Sequence, residues 1–278
     1  MQKLSQAFPV TNFGRLAEDG YAVRSGIAEF THGTGQMEQV RWNRMPQNNT
    51  CVLLYDALGD DNVKRWIAVC CFAGTALLGQ ESRTVVDNDQ VKVLDVTVQP
   101  HQKTRLHEHK VNRVMIYLEA GRQDIDYQAE GKKVIEWKAG EAKWSPASGQ
   151  HIAEITSDQP VRIIEVELKK PGTSNKHKNP LDPLKVDPKH YHVEFENDQV
   201  RVMRVKIGPK EMAPMHSHVL NRVVVYVTDQ KNRVTSADGK VEEVEHKAGD
   251  AAFAGQAKHK EENIGEKEFE VLVVDLKS

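Results

Sequence analysis

The stretch Leu106–Tyr117, LHEHKVNRVMIY, is written a second time as MHSHVLNRVVVY at Met215–Tyr226. On a strand, alternate residues share a face, so His107 with His109, and His216 with His218, each direct two imidazoles toward one point. The copying extends outward from there. DNDQVKVLDVTVQP (Asp87–Pro100) returns as ENDQVRVMRVKIGP (Glu196–Pro209), and Lys138-Ala139-Gly140 returns as Lys247-Ala248-Gly249, both 109 positions on. A third histidine follows late in each copy, His151 and then His259, with the offset shortened to 108. The closing runs VRIIEVELKK and FEVLVVDLKS keep that shorter offset. A period of this length is too long for a solenoid unit and fits a duplicated domain.

The copies have the texture of β-structure: VKVLDVTV, NRVMIYL, VRIIEVEL, then VRVMRVKI, NRVVVYVT, FEVLVVDL. These short Val/Ile-rich runs are broken by turn pairs such as Ala120-Gly121, Glu130-Gly131, Asp238-Gly239 and Ala248-Gly249. No amphipathic helix intervenes, so an antiparallel sandwich or barrel is expected in each copy, residues 84–170 and 190–278. The segment 171–189, with four prolines, reads as the linker.

The chain has 278 residues, a net charge of −2 and interspersed lysine and glutamate. That balance offers nothing to a nucleic acid. Cys51, Cys70 and Cys71 all precede the duplicated body, so disulfides do not hold it together. Residues 1–62 show no sustained period and no hairpin signal, and poor order is expected there. Residues 63–79 place Lys64-Arg65 before the apolar run WIAVCCFAGTALLG, Trp66 to Gly79. At 14 residues the run is shorter than the roughly 20 a spanning helix needs, so no stable membrane anchor is expected. Its layout is that of a secretory signal peptide, which implies translation beginning near Val63 and a secreted or periplasmic product. The competing reading is a buried strand or helix of an added N-terminal element in a cytoplasmic protein.

The repeated motifs resemble those of the cupin superfamily, and the duplication resembles a bicupin. The family's first motif is matched by His107, His109 and Gly121, and the second by Gly140, Pro146, Gly149 and His151. The second copy offers His216, His218, Gly249 and His259. The resemblance covers about Thr84 to Ser278 and implies an all-β chain of two tandem cupin-type β-barrel (jelly-roll) domains. It also implies a divalent metal ion, Fe, Mn, Zn, Ni or Cu, held by the histidines inside the barrel mouth. Where the family has a glutamate, four residues after the second histidine, this chain has Arg113 and Arg222. Counting by two turns both inward, and arginine is a pure donor that cannot ligate a metal.

Two functions therefore stand side by side. In one, three neutral imidazoles hold an ion with open positions, and the arginine clamps the carboxylate of an anionic chelator. That describes a mononuclear-metal oxygenase or isomerase of a small acid or sugar acid. In the other, each barrel is a non-catalytic pocket for a small anion or sugar, with metal or, where the inward arginine repels the cation, without it. Tyr117 and Tyr226 lie in phase with the histidines and either line the pocket as ligand-binding residues or pack with their hydroxyls at the rim. Trp144 and Phe253 read as core, Asn112 and Asn221 as strand-surface or turn residues, and Glu154 and Glu262 as turned away from the site. His101, His177, His190, His192 and His246 read as solvent-facing. No phosphate loop, nucleophile elbow or Cys/His pair appears, which excludes nucleotide-dependent and covalent hydrolase chemistry. Val223, Val225 and Val227, on the outward phase, either form a homodimer face or pack sheet against sheet within the chain.

Overall fold

The computed structural model describes residues 81–173 and 178–278 in full, together with Gln80 and four short strands nearer the N-terminus as backbone. Those strands belong to a separate unit, Met1–Leu77. They form two antiparallel pairs, β1 (Ser25–Thr31) with β2 (Met37–Asn43) and β3 (Val52–Leu54) with β4 (Ile67–Val69). The absence of a hairpin signal did not prevent pairing in 1–62. Apart from β4, the signal-like segment 63–79 lies outside the described residues.

The second unit, Leu78–Ser278, holds both copies. Copy one comprises β5 (Gln80–Asp87), β6 (Val91–Val98), β7 (His107–His109), β8 (Arg113–Tyr117), β9 (Gly121–Tyr127), β10 (Gly131–Trp137), β11 (Glu141–Ser145), β12 (Ser148–Ile155) and β13 (Val161–Leu168). After a one-turn helix, α1 (Pro183–Val186), copy two repeats the series as β14 (Tyr191–Glu196), β15 (Val200–Ile207), β16 (Met212–His218), β17 (Arg222–Tyr226), β18 (Gln230–Ser236), β19 (Val241–His246), β20 (Ala251–Ala254), β21 (Ala257–Asn263) and β22 (Phe269–Leu276). Each copy is a five-stranded sheet, ordered β11-β8-β13-β6-β5 or β20-β17-β22-β15-β14, facing a four-stranded sheet, ordered β10-β9-β12-β7 or β19-β18-β21-β16. The strand order is the same in both, so the expected pair of tandem barrels is the observed fold.

Alternation along the five-stranded sheets sorts the side chains into separate cores. Met115, Tyr117, Val96, Val161 and Ile163 turn inward with Trp137 and Ile155 to fill barrel 1. Tyr191, Met203, Val205, Phe269 and Val271 do the same in barrel 2. The opposite phase builds a third cluster belonging to both barrels: Val91, Val114, Ile116 and Ile164 from copy one, with Val200, Val223, Val225 and Leu272 from copy two. The two five-stranded sheets thus pack on each other within the chain. Val223 and Val225 are completely buried there, with Val227 packed alongside, so they offer no face to a homodimer. Trp144 and Phe253 pack against this shared cluster too.

Polar contacts repeat across the interface with the period of the sequence. Asn112 Nδ2 donates to Gln199 Oε1 at 2.5 Å, and Asn221 Nδ2 donates to Gln90 Oε1 at 2.7 Å. Arg162 reaches the Gly249 carbonyl at 3.1 Å, and Arg204 reaches the Gly140 carbonyl at 2.8 Å. Both glycines turn with positive φ, +75° at Gly140 and +84° at Gly249, a backbone that glycine adopts without cost. The asparagines and valines read as strand surface are therefore the seam between barrels.

Candidate metal centres

The antiparallel pairing of β12 with β7 in the four-stranded sheet brings the three histidines of copy one together. His151 lies opposite His107 in the β12–β7 ladder, and His109 is two residues further along β7. The ring centroids stand 4.9 Å (His107–His109), 4.4 Å (His107–His151) and 5.2 Å (His109–His151) apart. In copy two, β21 sets His259 opposite His216, with centroids 5.1, 4.6 and 5.5 Å apart for the pairs 216–218, 216–259 and 218–259. In each triad the candidate ligand nitrogens lie within 4.8 Å of one another, within reach of a shared ion.

The tautomers suit that task. Nδ1 of His107 meets the Arg105 carbonyl at 2.8 Å, Nδ1 of His151 the Gly149 carbonyl at 2.8 Å, and Nδ1 of His216 the Pro214 carbonyl at 2.8 Å. A carbonyl only accepts, so Nδ1 carries the hydrogen and Nε2 keeps its lone pair for the site. Burial holds the His109 ring below its ordinary range, to about 3, with Arg113 adding to the shift. Burial and then His216 hold His259 at about 3, and burial also lowers His151, His216 and His218. These five rings are thus held toward the unprotonated form, the form a metal ligand must have. Nδ1 of His218 is buried without a hydrogen-bond partner, an orphaned donor atom of the kind a ligand satisfies. The donor sets fit a divalent ion.

Linkage fixes the sign of the pH dependence. Histidines that titrate near 6.5 when unfolded and near 3 when folded make the unfolded state bind more protons between those values, so stability falls as pH falls through that window. Glu165, Glu261 and Asp275, whose carboxyls burial raises, work in the opposite direction. Chelator-treated protein should therefore lose urea resistance between pH 6.5 and 4.5 more steeply than its His109→Gln/His259→Gln variant. Equal slopes would contradict the assignment.

Arg113 and Arg222 turn inward as counting by two requires, and both are buried. Their charges are not left bare. Arg113 Nη1 bonds Glu165 Oε2 at 2.9 Å and Nη2 bonds Ser145 Oγ at 3.0 Å, leaving Nε without a partner. Glu165 is itself 7% exposed, its carboxyl raised by burial and drawn back down by Arg113. Glu165 and Glu167 also place oxygens within 4.8 Å of a His109 nitrogen. Barrel 1 thus has carboxylates after all, supplied by its closing strand rather than by the first motif. The signal was present in VRIIEVEL, where Glu165 shares the inward phase of Val161 and Ile163. In barrel 2 the equivalent position is Val273, and Arg222 instead donates to the Gly255 carbonyl, with Asp275 opposite it in the ladder. Asp275 pairs with Arg201 at 2.7 Å, and Glu261, in phase with His259, bonds Asn232.

The tyrosines are packing residues. Tyr117 stacks on Trp137 at 4.1 Å, and Tyr226 stacks on His246 at 3.9 Å in the matching place. His246 is therefore half-covered by a ring rather than facing solvent. His190 also departs from expectation. It is buried, with Nδ1 at 2.8 Å from Asp187 and Nε2 at 3.0 Å from Glu211, and it fixes the linker's end to barrel 2. His177 lies outside the described residues. Glu154 and Glu262 point away, toward Lys103 and Arg233, as their odd spacing requires. A residue that spacing did not single out, Tyr191, touches the second triad: its hydroxyl lies 3.1 Å from His216 Nε2.

No protein-family model matches the chain, and no curated protein matches it in sequence. Solved structures do share its fold. AerE from Microcystis aeruginosa superposes with a TM-score of 0.56 at 12% identity, over 73% of this chain and 95% of its own. Oxalate decarboxylase from Bacillus subtilis, a protein with Mn(II) centres, superposes with a TM-score of 0.51 at 14% identity, over 71% of this chain and 72% of its own. These structural neighbours are cupin-fold proteins, and at such identities the likeness is one of fold.

Proposed function

We propose that the chain is a mononuclear-metal bicupin acting on a small acid or sugar acid, with its reactive centre at His107, His109 and His151. The observation that carries this reading is the convergence of three imidazoles whose Nδ1 atoms are tied back to the strand at His107 and His151. A divalent ion bound there supplies Lewis acidity and positions for an anionic substrate. Manganese is the first candidate, by likeness to the Bacillus subtilis fold neighbour. The chain's own part is to aim Nε2, to exclude water with Met115, Tyr117 and Ile155, and to balance charge. Arg113 acts on that balance through Glu165, opposing the upward pull of burial on the carboxyl beside His109, and its free Nε is the donor left for an acidic substrate. Export is proposed as well, on the layout of residues 63–79, and the native N-terminus found by mass spectrometry tests it.

Metal analysis of untagged protein tests the centre. Two ions per chain are expected, falling to about one in His107→Ala. Less than a tenth of an ion per chain would favour the second reading, a metal-free pocket for a small anion or sugar, which the buried Arg113 and Arg222 support.

A further inference from the structure

The two triads are not equivalent, because a tyrosine hydroxyl stands against one imidazole of the barrel 2 triad, that of His216. Tyr191 Oη lies 3.1 Å from Nε2 of His216, and the rings meet edge to face with centroids 5.2 Å apart. Nδ1 of His216 is committed to Pro214, so the hydroxyl addresses the unprotonated nitrogen, the one an ion would take. Two donors bound side by side at about 2.0–2.1 Å from one ion stand roughly 3 Å apart, which is the separation already in place. Tyr191 cannot swing out to solvent, since it is 3% exposed and packed among Met203, Val205, Phe269 and Val271. In barrel 1 the same place, opposite Val96, is Ser82, and Tyr127 meets His151 through its ring.

We propose that Tyr191 is the fourth ligand of a closed metal site in barrel 2, which leaves the three-histidine site of barrel 1 as the open one. The proposal rests on the reading of the triads as metal centres. As the Oη–metal bond forms, the O–H bond breaks and the proton passes to solvent water; no electron is transferred. Four protein ligands around an ion mark sites that stabilise a fold, and three with an open position mark sites that react. Barrel 2, with His216 fully buried, fits the first description, and barrel 1, with His107 and His109 half-exposed, fits the second.

Copper(II) separates the possibilities, because a bound phenolate gives it a visible charge-transfer band and resonance-enhanced tyrosinate vibrations. The full chain carrying His107→Ala and His109→Ala, stripped with chelator and given one equivalent of copper(II), should bind it and show both signals. Adding Tyr191→Phe should abolish both while copper still binds, about tenfold more weakly or worse. Copper bound by the Tyr191 chain without either signal would overturn the proposal and leave the metal reading intact. Failure of copper to bind either barrel would overturn both. The vibrational measurement on the chain that keeps Tyr191 decides the matter even where Tyr191→Phe fails to fold.

Discussion

Glu165→Leu should destabilise the protein by about 3–5 kcal/mol, whereas the double variant Arg113→Met/Glu165→Leu should be near wild type or above it. Arg113 is 6% exposed and its Nη1 has one carboxylate partner, so removing Glu165 strands a cation inside barrel 1. Removing both charges substitutes apolar contacts for an ion pair whose desolvation offsets most of its attraction. Denaturant midpoints of the two variants check this, and a double variant as unstable as the single would show that the pair is not the cause. The same variants separate stability from chemistry. The double variant leaves all three histidines in place, so it should keep its metal while losing the carboxylate that faces His109. Turnover lost from a folded, loaded protein would assign the Arg113–Glu165 pair to the centre itself.

The second large effect should appear at a distance. Leu272→Ala in barrel 2 is expected to cost about 2–5 kcal/mol, the range for a fully buried leucine left as a cavity. Barrel 2 contains no tryptophan; Trp137 and Trp144 belong to barrel 1. Because Leu272 shares a cluster with Val114, Ile116 and Ile164, and Trp144 packs on that cluster, tryptophan fluorescence should follow the loss. In a Trp42→Phe/Trp66→Phe background, the Leu272→Ala protein should unfold in one transition at a lower midpoint. Barrels that fold independently would instead leave the tryptophan midpoint where it was.

Much of the site could be read before the fold was known, because alternation by two and a doubled motif are both local signals. His107 with His109 needs only strand geometry, and His151 is recoverable because His259 repeats it. What alternation could not supply was the identity of the layer each face meets. It turned Arg113 inward and Val223 outward correctly, yet it left open whether the outward valines met another chain or the other barrel. It also treated each strand alone. Glu165 was missed because its partner lies 52 residues away on β8, and Tyr191 because β14 reaches the second triad from across the barrel. His190 was read as solvent-facing because Asp187 and Glu211 become its neighbours only after the linker has turned.

The seam between the barrels also bears on how the two pockets could diverge. Between separate identical subunits, every substitution appears twice and must suit both places at once. Joined in one chain, the halves keep a common seam while each pocket mutates alone. An acid can arise at Glu165 opposite a valine at Val273, another at Glu261 opposite Ala153, and a phenol at Tyr191 opposite Ser82. Fusion converts a symmetric pair into two independent sites that share one scaffold.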